Sequence, residues 1–359
     1  MEKEELKELL QKYYNGTLNK EEEQRIEELL ESFDAYNEFL NETMGEEEIR
    51  EVDETKLIKK AQQRFFFRNT LLVISFILVI VPLLTMFSVV YYGIGGENGK
   101  GNEIIQTIAT VSEMTTPNVY VDYDTIRDEI YPFTMTVTVD KYQMVYDEKR
   151  YVGQDRYKMF LTDVFAKESD YKFNGYSIDN IETRFVHPKS TYSLPDERRK
   201  AQSLPNDWPL EINISLDKAY PLKEIHEKFK GYNITWLALE TGVEEKMKQE
   251  QDFIRTPAIG FPYKKVSPHS VFDRDFNNYG EVVKGLELLN KYEKLATNLT
   301  EYKDLKLSER LNWVKKQKEL KIYGISIMGT AKDISSLQKM KEVKVIRLGL
   351  NDAQWGVDE

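Results

Sequence analysis

The sequence predicts a multi-part chain: a small all-α module, one transmembrane helix, and an α+β domain on the other side of the membrane containing two strand–helix–strand units. Three observations predict it. Residues 1–55 are helix-patterned and hold 19 Asp and Glu against 6 Lys and Arg, a balance of −13. From Asn69 to Gly96 there is no charged residue. A 26-residue pattern that begins at Ile214 recurs, without gaps, at Ile325. The 359 residues suffice for two or three domains. The expected division is 1–55 helical module, 56–68 basic juxtamembrane segment, 69–92 spanning helix, 93–102 linker, 103–209 β-rich region and 210–359 α+β domain.

In the N-terminal module, Leu6, Leu9, Leu10, Tyr13 and Tyr14 recur at helical spacing and place a helix over about Lys3–Tyr14. Asn15-Gly16 breaks it. Asn19 with Glu22 three residues on forms a capping-box pattern, with Asn in the Ser/Thr place. Glu21, Glu22 and Glu23 then fall in the first turn, where the helix dipole favours carboxylates. Ile26, Leu29, Leu30 and Phe33 share one face of this second helix. Tyr36, Phe39, Leu40 and Met44 suggest a third. Three short amphipathic helices can close a thin bundle. Part of their stripes could instead serve a partner helix or groove. The sequence does not separate these roles.

The apolar run Leu71–Tyr92 is 22 residues, or about 33 Å of helix, against a hydrocarbon core of about 30 Å. It starts too far from residue 1 for a secretory signal peptide. Lys56, Lys59, Lys60, Arg64 and Arg68 precede it, whereas Lys100 is the only basic residue in the fifteen after Tyr92. Positive-inside then places the N-terminus in the cytoplasm and the C-terminal part outside. Phe65, Phe66 and Phe67 flank one end, Tyr91 and Tyr92 the other. Pro82 removes a backbone donor mid-helix and is the expected kink. The glycine-rich stretch after Tyr92 reads as a short flexible linker.

Composition excludes several function classes. The net charge of −11 repels phosphate, so no nucleic-acid partner is expected, and the acidic N-terminus suits a basic protein. There is no cysteine, and the three histidines, His187, His226 and His269, do not pair at ligand spacing. Neither a metal nor another cofactor is expected. No nucleophile elbow, Walker loop, zincin or Rossmann pattern occurs, so the chain does not read as an enzyme. A rival catalytic reading would need a deep outer pocket with convergent carboxylates.

In the outer part, Phe133, Met135, Val137 and Val139 alternate with Thr134, Thr136 and Thr138, a strand pattern. PNVYVDY before it is a second candidate strand. The repeated pattern supplies Leu222, Ile225 and Phe229 in its first helix and Ile334, Leu337 and Met340 in its second. Between the two copies lie helical stretches, one with Ser308 as its cap. A Pro- and aromatic-rich loop, 255–273, reads either as a groove lining or as a packed connection.

The stretch LLQKYYNGTLNKEEEQRIEELLESFDAYNEF resembles the N-terminal domain of membrane-bound anti-sigma factors. GISIMGTAKDISSLQKM, Gly324 to Met340, resembles the strand–helix–strand ending of Firmicute-type sigma-factor regulators. Many anti-sigma domains carry a His-x3-Cys-x2-Cys zinc motif; here Glu28, Ser32 and Ala35 stand at those places, so the resemblance implies a zinc-free member. It also implies a function: sequestering an extracytoplasmic-function sigma factor at the membrane and releasing it on an external envelope signal, with a second membrane protein as a conceivable helper. On that reading Leu6, Leu9, Leu10, Tyr13, Tyr14, Ile26, Leu29 and Leu30 supply the sigma contact or the module's own core. The alternative is a membrane-anchored extracytoplasmic ligand- or cell-wall-binding protein whose cytoplasmic tail is dispensable.

Overall fold

The computed structural model describes residues 3–43, 54–96, 99–171, 184–201, 203–248, 252, 256–265, 267–274 and 278–351. The chain falls into two units, Met1–Ile77 and Leu78–Glu359.

The first unit opens with α1 (Lys3–Tyr14) and α2 (Lys20–Thr43). Gly16 takes the left-handed conformation that the tight turn between them requires, with φ of +64°. The expected third helix is not separate. Tyr36, Phe39 and Leu40 continue α2, because no glycine or proline interrupts the chain after Phe33 and the apolar stripe of Ile26, Leu29 and Phe33 runs on in register. Met44 lies outside the described residues. A single helix, α3 (Glu54–Gly93), then carries both the basic segment and the apolar run, passing through Pro82 without a break. Its stretch Ile58–Gly93 is long and apolar enough to cross a membrane.

In the second unit, α3 gives way to α4 (Lys100–Thr115). The linker expected over 93–102 is therefore shorter. Gly99 and Gly101 have a packing reason: a Cβ would stand 2.8 Å from the Gly96 carbonyl oxygen at the first and 2.9 Å from the Tyr92 carbonyl oxygen at the second. The first sheet contains β1 (Tyr120–Val121), β2 (Arg127–Tyr131), β3 (Thr134–Val145), β4 (Glu148–Phe160) and β5 (Asp163–Tyr171). It is antiparallel in the order β1-β3-β4-β5, with β2 also on β3. Met135, Val137 and Val139 are buried as their alternation requires. Phe133 is not part of that row. It sits at the β2–β3 turn with φ of +57° and is exposed, since the turn ends the pleat one residue before the pattern does.

After the short α5 (Arg198–Ala201), the second sheet holds β6 (Leu210–Pro221), β7 (Asn233–Leu239), β8 (Gly260–Pro262), β9 (Lys321–Gly329) and β10 (Val343–Asn351). The helices are α6 (Leu222–Lys228), α7 (Tyr279–Lys291), α8 (Glu293–Asn298), α9 (Leu307–Gln317) and α10 (Ala331–Leu337). Both copies of the repeated pattern are strand–helix–strand: β6-α6-β7 and β9-α10-β10. The sheet order, β10-β6-β9-β7-β8, interleaves them. β9 fills the gap between β6 and β7, and β6 the gap between β9 and β10, as in a ferredoxin-like split βαβ pair. Ile214 and Ile325, the first residues of the two aligned copies, face each other in the β6–β9 ladder. A pseudo-two-fold axis through that pair relates the copies.

One apolar core joins α4 (Ile104, Ile108), the first sheet (Val137, Met159), the second sheet (Ile212, Ile214, Ile325) and α7 (Leu286). The 209/210 division drawn from sequence thus falls between two sheets that share a core. Ser308 does not cap α9, which begins at Leu307; the Leu307 N–H donates to Glu293 Oε1. Asn278 and Glu281 instead form a capping box on α7.

Candidate protein-binding site

The local chemistry that builds the N-terminal hairpin is legible atom by atom. Asn19 Oδ1 accepts the backbone N–H groups of Glu21 and Glu22, at 3.1 and 2.9 Å. Glu22 Oε2 accepts the Asn19 N–H in return, at 3.1 Å. Lys12 of α1 donates to Glu22 Oε1 at 3.0 Å, pinning the two helices near the turn. The Asn19 N–H and the Lys12 ammonium hold the Glu22 carboxyl below its ordinary pKa. Because this network is solvent-exposed, its value is mainly geometric.

Packing between α1 and α2 buries Leu9 and Ile26. Leu6 and Leu29 are half-buried beside them. The other four residues expected to touch a partner face outward: Leu10, Tyr13, Tyr14 and Leu30, with Tyr14 91 % exposed. The structure therefore sorts the eight candidates into a hairpin core of four and an outward set of four. Phe33, Tyr36 and Phe39 extend the outward set along α2. At about 1.5 Å per residue, the 24 residues of α2 are twice as long as the 12 of α1, so the distal half of α2 outruns its partner. So much exposed apolar side chain makes this acidic hairpin the candidate binding surface.

Loop 255–273 is a packed connection among its described residues, with β8 paired to β7 and Ile259, Phe261, Tyr263 and Phe272 buried. Two clusters of buried charges close on themselves. Arg310 donates to Glu244, Thr241 Oγ1 and the carbonyls of Leu305 and Pro257. Lys141 meets Asp155 at 2.6 Å, and Tyr157, Ser169 and Tyr171 donate to the same carboxylate. Burial opposes ionisation of Asp155, but the Lys141 and Lys167 charges and these hydrogen bonds hold its pKa well below the usual range.

His187, Glu240 and Glu245 bring their ligand atoms within 4.8 Å of one another, a grouping that chain spacing does not reveal. His187 Nδ1 accepts the Lys189 N–H at 3.3 Å, so Nε2 carries the proton toward Glu240 at 3.2 Å. Glu245 is held by Lys189 at 2.5 Å. Neither imidazole nitrogen has a lone pair free, and the cluster fastens the segment around His187 to the second sheet.

Comparison with known proteins agrees with this architecture. Residues 55–150 match the family described as "Sigma factor regulator N-terminal", and residues 202–350 match "Sigma factor regulator C-terminal". The chain belongs to the sigma factor regulator family. These two matches leave residues 1–54, which include the hairpin, outside them. A relative that spans it is the "Probable anti-sigma-M factor YhdL" of Bacillus subtilis (strain 168), 28 % identical over 361 residues, which cover 97 % of this chain and 98 % of the relative. No solved structure matches. Glu28, Ser32 and Ala35 lie in α2, where Ser32 Oγ donates to the Leu29 carbonyl at 2.8 Å.

Proposed function

We propose that this chain is an anti-sigma factor that holds an extracytoplasmic-function sigma factor at the membrane and releases it on an external envelope signal. The observation that carries the reading is the outward apolar set of the acidic hairpin: Leu10, Tyr13, Tyr14, Leu30, Phe33, Tyr36 and Phe39. An apolar helix face docking in a groove of a partner is a recurring mode of recognition. The surrounding carboxylates speed the encounter with a basic partner and disfavour nucleic acid. Family membership and the likeness to an anti-sigma-M factor support the same conclusion. Binding needs no metal, thiol or catalytic group, and the protein works as a non-catalytic tether.

The hairpin lies in the cytoplasm, where sigma factors work, and the larger unit lies outside. The basic residues Lys59, Lys60, Arg64 and Arg68 on the N-terminal side of the apolar run favour that orientation. Leu9 and Ile26 hold the hairpin together while the outward set binds. Release passes through the spanning helix, either by a conformational push that uses Pro82 as a weak point or by sequential cleavage of the outer segment and then the helix.

Deleting residues 1–43 from the chromosomal copy tests the assignment. The anchor and outer unit remain, and transcription from the cognate sigma factor's promoters is read without stress. Constitutive transcription is expected. Unchanged transcription across all such promoters would favour the anchored outer binder with a dispensable tail.

A further inference from the structure

The two hairpin turns at one end of the first sheet are fastened to the last turns of the apolar helix. The Phe133 N–H, at the β2–β3 turn, donates to Ser88 Oγ at 2.6 Å. Ser88 Oγ in turn donates to the Leu84 carbonyl at 2.9 Å, so both functions of the hydroxyl are used. Tyr92 OH reaches the carbonyls of Phe133 and of Leu161, at the β4–β5 turn, at 3.4 and 3.2 Å. Ser88 lies inside the apolar run, four residues and about 6 Å before its end at Tyr92.

These same turns display large apolar side chains to the outside. Tyr131, Phe133, Phe160 and Phe165 are all exposed. Tyr131 and Phe160 flank Thr134 in one cross-strand row, and the Phe133 and Phe160 rings lie 6.2 Å apart. Phe165 falls at the register shift between β4 and β5, where a bulge turns its side chain outward. Aromatic side chains concentrated at the end of an apolar helix match the chemistry of a lipid headgroup layer, which takes apolar rings with polar neighbours.

We infer that the β2–β3 and β4–β5 turns, through Tyr131, Phe133, Phe160 and Phe165, insert into the outer interfacial layer of the membrane that the apolar helix crosses. The inference rests on the reading of that helix as a span. The occupant of the aromatic surface is lipid because the surface is continuous with Ser88 and Tyr92, which the span itself places at the membrane boundary. The outer sheet is then seated on the bilayer, and a displacement of the sheet acts directly on the last turns of the helix.

The absence of cysteine permits a direct test on the full chain in nanodiscs. Single substitutions F160C and F165C carry a nitroxide label, with V79C as a marker of the span and D147C, at the β3–β4 turn, as a marker of solvent. Collision with oxygen against a water-soluble nickel complex reports depth. The expected result is lipid at 79, an interfacial ratio at 160 and 165, and water at 147. Lipid at 79 with water at both 160 and 165 overturns the inference and leaves the span intact. Water at 79 overturns the span and the inference together. Dipolar broadening between labels at 160 would place a second copy on the surface instead and would also overturn it.

Discussion

Leu9 and Leu10 are neighbours in α1 and face opposite environments: Leu9 is 7 % exposed, packed where α1 meets α2, and Leu10 is 46 % exposed. Each therefore tests a different half of the account. Leu9→Ala opens a cavity in a thin core and costs about 2 kcal/mol or more of hairpin stability. It should reduce helical circular dichroism. Leu10→Glu and Tyr13→Glu should leave that signal unchanged and weaken sigma binding about tenfold to a hundredfold, as loss of interface anchors does.

The Asn19–Glu22 capping box predicts a smaller, purely local effect. Asn19→Ala removes the acceptor for two first-turn N–H groups and should cost about 1 kcal/mol. Thermal melting of the hairpin reads it. Asn19→Asp keeps an acceptor oxygen and should remain near the native value.

That cap was legible in the sequence because it is written in four consecutive residues. The span, the alternation of Met135, Val137 and Val139, and the two strand–helix–strand copies were legible for the same reason: each is a local period. α4 was not. Residues buried on nearly every side of it, among them Thr107, Thr110, Ser112 and Glu113, leave no single apolar stripe to read. The order β10-β6-β9-β7-β8 depends on pairing β6 with β9 and β10, strands far from it along the chain, to which no local pattern points. The division of the eight hairpin candidates into core and surface depends on how α1 docks on α2, which periodicity alone leaves open.

Glu113 gives a pH prediction. It is fully buried in α4, where Ser270 Oγ donates to it at 3.0 Å, and burial pushes its pKa up to about 8 from an ordinary 4.5. The folded state therefore keeps a proton that the unfolded state loses. Stability from this group is highest below about 4.5, falls as pH rises toward about 8, and is level above that. Glu113→Gln should remove up to about 1.4 kcal/mol per pH unit of that slope. Thermal unfolding of both forms between pH 5 and 8 measures the difference.

The Lys141–Asp155 pair predicts an asymmetric cost. Asp155→Asn leaves a buried ammonium without its carboxylate and should destabilise the second unit by about 3–5 kcal/mol. Lys141→Met together with Asp155→Asn should recover much of the loss. Chemical denaturation of the two variants separates the cost of a lone charge from the worth of the pair.

Topology can be read with single cysteines in the cysteine-free chain. A membrane-impermeant maleimide on intact cells should label D147C and spare Y14C until the membrane is opened. Labelling in the reverse order would invert the proposed orientation.

The central claim is tested most directly by co-purifying the full chain with each extracytoplasmic-function sigma factor of its host. The account predicts a stable 1:1 complex with one of them, lost in the folded Leu10→Glu, Tyr13→Glu double variant. No complex with any sigma factor, from a chain whose hairpin is folded, would contradict it.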